Sequence, residues 1–282
     1  MWAEGSGRCS TDPGPLRDGV MSASSSANQK LGLFAKGRDA YVGIISGDKV
    51  SVTGASSLVD VMTGVIRPTG QTLDLDGLKP LAPVQRPSKI ICIGLNYRSH
   101  IKEMRAETPR VPIIFTKPSS AIVNPDDEIE IPSMSARVDY EGESALIIGR
   151  RARKVANGAE YIFGYTCFND VTARDLQKGD VDWTRAKGFD TFAPMGPFVS
   201  RTPPGRVQTR LGGRTVQDAP LSDRVFGDAE LVQYVSSIMT LEPGDVIATG
   251  TPSGISPMKE GDTVEVELDG VGILRNKVVK SR

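Results

Sequence analysis

Apolar residues in this chain fall in short runs broken by Gly, Pro, Asp and Asn, and few segments carry the i, i+3, i+4 spacing of an amphipathic helix. The runs at residues 31–34, 40–45, 49–52, 90–93, 113–116, 145–148, 198–200 and 246–249 predict strands, and Asp269-Gly270 predicts a closing hairpin with a two-residue turn. A helical patch is expected over residues 56–62, with Ser at its N-cap. The best helix starts from an Asp228 N-cap, sets Leu231, Val235, Ile238 and Met239 on one face, and is stopped by Glu242-Pro243-Gly244. Strands that do not alternate with helices of about 10 to 15 residues argue against a doubly wound parallel sheet. The pattern therefore predicts a mixed α/β, β-rich fold, a roll or barrel.

Punctuation divides the chain. Residues 79–87 hold three prolines, which disfavour helix and central strand alike, so they read as a linker between a small domain over residues 30–82 and a larger one over 83–282. Residues 1–29 are rich in Gly, Ser and Pro and read as a flexible tail, with Met21 an alternative start. The tail has no apolar h-region, and no segment offers the run of about 18 apolar residues that a membrane span needs. Lys plus Arg and Asp plus Glu balance at 34 each, without a long basic run, which excludes the electrostatic footprint of a nucleic-acid-binding protein. Cys9, Cys92 and Cys167 lie far apart, suiting neither a disulfide framework nor a thiolate zinc site, so a cytoplasmic setting is expected.

Candidate chemistry begins with Asp139-Tyr-Glu-Gly-Glu143. On a strand, Asp139, Glu141 and Glu143 would share a face, and like charges roughly 7 Å apart repel by about 2 kcal/mol per pair at an effective dielectric of ~20. Water would screen them on a solvated face, but the apolar run at 145–148 places them at the mouth of a core, where a cation would compensate them. Asp170 ends the strand that precedes it, and Asp170, Arg174 and Gln177 follow helical spacing; Asp170 is either a helix N-cap paired with Arg174 or a metal ligand beside two anion-reading side chains. The donors are hard oxygens, which favours Mg²⁺ or Mn²⁺ if the three carboxylates converge. His100 is the single histidine, and on a helical turn Glu103 at i+3 could orient its ring and stabilise the imidazolium. The sequence has no Gly-x-Ser-x-Gly elbow, so a water nucleophile is preferred over a serine. The turn Gly250-Thr-Pro-Ser-Gly254 offers backbone N–H groups and the Thr251 hydroxyl to a carboxylate, and matches neither a P-loop nor a dinucleotide fingerprint.

Taken in order, Ile91-Cys-Ile-Gly-Leu-Asn-Tyr-Arg-Ser-His100, Phe115-Thr-Lys-Pro-Ser119, Asp139-Tyr-Glu-Gly-Glu143, Phe168-Asn-Asp170, Arg185-Ala-Lys-Gly-Phe-Asp190 and the segment from Gly244 to Gly254 resemble the fumarylacetoacetate hydrolase family. Ser144 departs from it, at a position that is usually apolar. The resemblance implies a mixed β-roll catalytic domain, commonly a homodimer, with Glu141, Glu143 and Asp170 as metal ligands. It implies His100 and Glu103 as the catalytic pair, on a segment that orders or closes over substrate. Lys187 would stand by the metal and stabilise an enolate, with Thr191 supporting the site, while Arg174, Gln177, Thr251 and Lys117 would read the carboxylate and oxo groups of a 2-oxo or 2-hydroxy acid. The implied activity is hydrolysis of a carbon–carbon bond in an acylpyruvate-type β-diketo acid. The same site would serve a decarboxylase or isomerase acting on oxaloacetate or a 2-hydroxyhepta-2,4-diene-1,7-dioate; a non-catalytic carboxylate-binding relative is the alternative of another class.

Overall fold

The computed structural model describes residues 29–64 and 69–281, so the expected tail, apart from Gln29, lies outside the described residues together with Cys9 and Met21. Strand Gly142–Ile148 is buried at every position and forms the centre of a twelve-stranded sheet among the described residues. It pairs antiparallel with Ile162–Asn169 on one side and with Val246–Ala248 on the other. Val246–Ala248 runs parallel to Ile90–Gly94, which pairs with Ile113–Lys117, so the sheet is mixed.

Both faces of the central strand are covered. Leu146, with Cys167 on the next strand, packs against Val207, Val266 and Leu268 of a second, five-stranded sheet. Ala145 and Ile147 face Leu33, Phe168 and Val199. Full burial of a Leu or Ile contributes about 1.5–3 kcal/mol relative to exposure, so this doubly covered strand is a firm platform for residues at its end. Strand Lys30–Lys36 pairs with Ala193–Ser200 and with Asp39–Ser46, so the leading strands extend the same sheet. Within the proline-rich stretch, Lys79–Leu81 adds a short strand beside Lys30–Lys36.

Local departures from the sequence pattern have physical causes. Helix Asp228–Ile238 is capped by Gly227 rather than Asp228, and buries Leu231, Val232 and Val235 while Ile238 is exposed. The chain leaves the helix at Met239, in extended conformation, before Pro243 is reached. The closing hairpin joins Thr263–Leu268 to Gly272–Lys280 with Leu268 opposite Gly272, a three-residue connection in which Gly270 takes φ +74°. Asp139, Glu141 and Glu143 do not lie on one continuous strand. Val138–Asp139 pairs with Thr172–Ala173, and a new strand starts at Gly142. The β-branched Thr172 belongs to that pairing, so the expected helix after Asp170 begins only at Arg174 (Arg174–Gly179) and Asp170 does not cap it.

Candidate active site

Four neighbouring strands end together. Gly142 pairs with Asn169, so Glu141 and Asp170 flank that pair, and Asp170 N–H donates to Glu141 O at 2.9 Å. Glu143 is the next strand residue. Carboxylate oxygens of Glu141, Glu143 and Asp170 lie within 4.8 Å of one another, and all three residues are buried. Asp139 is drawn elsewhere: Arg137 and Arg174 hold it at 2.8 and 2.9 Å.

Each carboxylate has a different environment. Lys187, buried on the short helix Thr184–Lys187, donates to Glu141 Oε2 at 2.9 Å and to Asp170 Oδ2 at 2.6 Å. Arg174 Nη2 donates to the other Glu141 oxygen, and Arg174 Nη1 to Gln177 Oε1. Burial pushes the Glu141 carboxyl up, but Lys187 and Arg174 outweigh it and hold the group below the usual carboxylate range. Burial likewise opposes the charge on Lys187, yet Asp170 and Glu141 leave its pKa raised. Lys117 spends its three N–H donors on the carbonyls of Val171, Lys187 and Phe192, at 2.7–2.9 Å. Its 2.8 Å approach to Asp170 Oδ1 is therefore a charge contact, and that oxygen receives no directed hydrogen bond. Glu143 forms no ion pair among the described residues. The Gly250 N–H reaches its Oε2 at 2.7 Å, and burial, then Asp170 and Glu141, push its pKa well above the usual range.

Two glycines permit this closeness. Gly250 has φ +96°, and a Cβ there would meet the Asn96 side chain at 2.8 Å; a Cβ on Gly142 would lie 2.0 Å from Thr209 Oγ1. Beyond strand Ile90–Gly94 the chain turns at Leu95, φ +52°, into helix Arg98–Met104. There His100 Nδ1 lies 2.9 Å from Glu103 Oε2, and Glu103 Oε1 accepts the Gly254 N–H at 2.9 Å. This segment is a helix docked on the glycine-rich turn through the Glu103–Gly254 bond. That turn does hold carboxylates through backbone N–H groups, and they are the protein's own Glu143 and Glu103.

A cleft with about 180 Å³ of space brings together His100, Glu141, Glu143, Asp170, Arg174, Gln177, Lys187 and Thr251. Leu95, Met104, Phe115 and Trp183 form an apolar wall, with the Phe115 and Trp183 rings edge to face at 5.1 Å. Thr251 Oγ1 donates to Gly142 O at 2.9 Å. Lys117 does not line the cleft, and neither does Thr191, whose hydroxyl accepts the Glu130 N–H at 2.9 Å. Sequence reasoning missed Gln217, 1% exposed, which bonds to Gly142, Thr251 and Pro252 from the second sheet. A lone glutamine 75 residues from its partner on an alternating polar strand gives no sequence signal.

The family model for the fumarylacetoacetate (FAA) hydrolase C-terminal region matches residues 89–279. The mitochondrial oxaloacetate tautomerase FAHD2A of Bos taurus is 40% identical over 216 residues, covering 71% of this chain and 69% of the relative. The crystal structure of 5-carboxymethyl-2-hydroxymuconate delta-isomerase from Mycobacterium smegmatis superposes with a TM-score of 0.81 at 38% identity, covering 89% of this chain and all of the other. Maleylpyruvate hydrolase from Sphingobium sp. SYK-6, solved with manganese(II) and pyruvate, gives a TM-score of 0.74 at 28% identity over 90% of this chain and all of the other.

Proposed function

This chain belongs to the fumarylacetoacetate hydrolase family, and we propose that it is a divalent-metal enzyme that moves a proton on a 2-oxo or 2-hydroxy carboxylate, interconverting keto and enol forms or shifting a double bond. The observation that carries the reading is His100, buried, held by Glu103 through Nδ1 and opening on the same cleft as the carboxylate cluster. Similarity leans the same way by a small margin: the tautomerase and the isomerase are 40% and 38% identical, a fumarylacetoacetate hydrolase from Exiguobacterium antarcticum 34% and the maleylpyruvate hydrolase 28%.

The residues fit a hard cation. Glu143 is a buried carboxylate with no ion pair among the described residues, Asp170 Oδ1 lacks a directed hydrogen bond, and every donor is oxygen. Glu141, Glu143 and Asp170 would hold Mg²⁺ or Mn²⁺, which when bound supplies Lewis-acid polarisation of the 2-oxo group and acidifies the neighbouring C–H. Glu103 fixes His100 through Nδ1, which leaves Nε2 as the ring nitrogen to take that proton and return it to oxygen or to a distal carbon. Lys187 uses two of its three N–H bonds on Glu141 and Asp170, and its retained charge favours the enolate. Arg174, Gln177 and Thr251 line the wall that would receive the carboxylate, with Lys117 and Thr191 supporting from outside the cleft. The chain is placed in the cytoplasm on the grounds that Cys92 and Cys167 are buried and unpaired, and is taken as a homodimer by family likeness.

The test is the keto–enol interconversion of oxaloacetate, followed by enol absorbance with Mg²⁺ or Mn²⁺ and with excess chelator. Metal-dependent acceleration supports the reading. A rate equal to buffer, for oxaloacetate and for 5-carboxymethyl-2-hydroxymuconate, contradicts it.

A further inference from the structure

Gly142 sits between two residues of the carboxylate cluster, so the orientation of its peptide planes aims both Glu141 and Glu143. Ile162–Asn169 holds the strand on one side. On the other, Val246–Ala248 stops short: Thr249 N–H still donates to Ser144 O at 3.0 Å, and then the chain turns away at Gly250 to place its N–H on Glu143. Gly142 is left facing no strand on that side.

Gln217 and Thr251 fill the gap. Gln217 Oε1 accepts the Gly142 N–H at 3.0 Å, Gln217 Nε2 donates to Thr251 Oγ1 at 2.8 Å, and Thr251 Oγ1 donates to Gly142 O at 2.9 Å. Three hydrogen bonds thus close a ring on one residue's backbone. The second Nε2 hydrogen goes to Pro252 O at 2.9 Å, so the carboxamide, 1% exposed, is bonded through its oxygen and both hydrogens. Pro252 lies in the turn whose ends hold Glu143 through Gly250 and Glu103 through Gly254.

We infer that Gln217 is a positioning residue that locks the strand bearing the carboxylate cluster to the 250–254 turn, and so sets the spacing between that cluster and the His100–Glu103 pair. The catalytic half of this inference rests on the metal-assisted proton transfer proposed above; the structural half does not.

Gln217→Met keeps length and burial and removes all three bonds of the carboxamide. Amide hydrogen exchange of residues 249–256 in the metal-free protein should rise ~10-fold or more, and Mn²⁺ affinity and kcat should each fall ~10- to 100-fold. Thr166→Val, on the neighbouring strand opposite Ala145 and with a buried hydroxyl that has no hydrogen-bond partner among the described residues, should leave all three within about twofold. Gln217→Glu keeps an acceptor for Gly142 and loses the amide donors; it decides the matter if the Met variant does not fold, and should loosen the turn and lower kcat ~10-fold. A folded variant of either kind with unchanged exchange at 249–256, or a loosened turn with Mn²⁺ affinity and kcat unchanged, overturns the inference. A loosened turn with weakened Mn²⁺ binding upholds it even if the wild-type protein turns over no 2-oxo acid, in which case the reaction reading alone fails.

Discussion

Glu103 and Glu143, forty residues apart, hang from the two ends of one five-residue turn, Glu143 on the Gly250 N–H at 2.7 Å and Glu103 on the Gly254 N–H at 2.9 Å. A carboxylate of the cluster and the partner of the candidate base therefore share one support. Small displacements of this turn move both together, so in the proposed reaction ion binding and proton transfer would share one backbone element.

Glu103→Gln keeps the shape of the side chain and removes the carboxylate that faces His100 Nδ1 at 2.9 Å. Its kcat should fall by ~100-fold with Mn²⁺ affinity within about threefold of the wild type. Steady-state kinetics beside a Mn²⁺ titration checks it; a parallel loss of both would mean that Glu103 acts only as a strut.

Glu143→Gln removes the buried carboxylate that forms no ion pair among the described residues and whose pKa burial pushes well above the usual range. The metal-free variant should melt about 2–4 °C higher than the wild type, and should lose the stabilisation that Mg²⁺ or Mn²⁺ confers. Thermal melts with metal and with chelator read both effects.

Lys187→Met leaves Glu141 and Asp170 facing each other without their shared ammonium. Removing one partner of a buried ion pair costs about 3–5 kcal/mol, so the metal-free variant should be strongly destabilised. Added Mn²⁺ should restore more stability than it gives the wild type, as measured by urea unfolding with and without the ion.

Burial pushes the Cys167 thiol up to about 12 and the Cys92 thiol well above its ordinary value. Both are neutral in the folded protein. As pH rises past the unfolded thiol pKa of about 9, the unfolded state binds fewer protons than the folded state, so their contribution to stability is full below about pH 9 and is lost as pH climbs toward 12. In a Cys9→Ser background, native protein at pH 8 should resist thiol reagents that modify two groups after unfolding.

The order of short apolar runs was enough to read a β-rich mixed fold, because a strand buried on both faces, such as Gly142–Ile148, needs an apolar stretch and shows it over residues 145–148. The carboxylates were legible for a related reason: charges beside such a stretch stand out against it. Ion-pair partners were less so. Asp139 looks equivalent to Glu141 and Glu143 by spacing, and only the break in the strand, with Arg137 and Arg174 beside it, separates its fate from theirs. Arg174 pairs with Glu141 and Asp139 rather than with Asp170, because the pairing of Thr172 with Asp139 delays the helix. Gln217 was illegible, since what it satisfies is a backbone gap created by the turn at Gly250.

The most direct measurement is mass and proton NMR of products when the Mn²⁺-loaded protein meets a 2-oxo dicarboxylate in deuterated water, wild type beside His100→Ala. Deuterium should enter the carbon next to the oxo group with the carbon skeleton intact, and the His100→Ala protein should lose this exchange while still binding Mn²⁺. Cleavage to pyruvate and a second acid, or exchange undiminished in His100→Ala, would contradict the account.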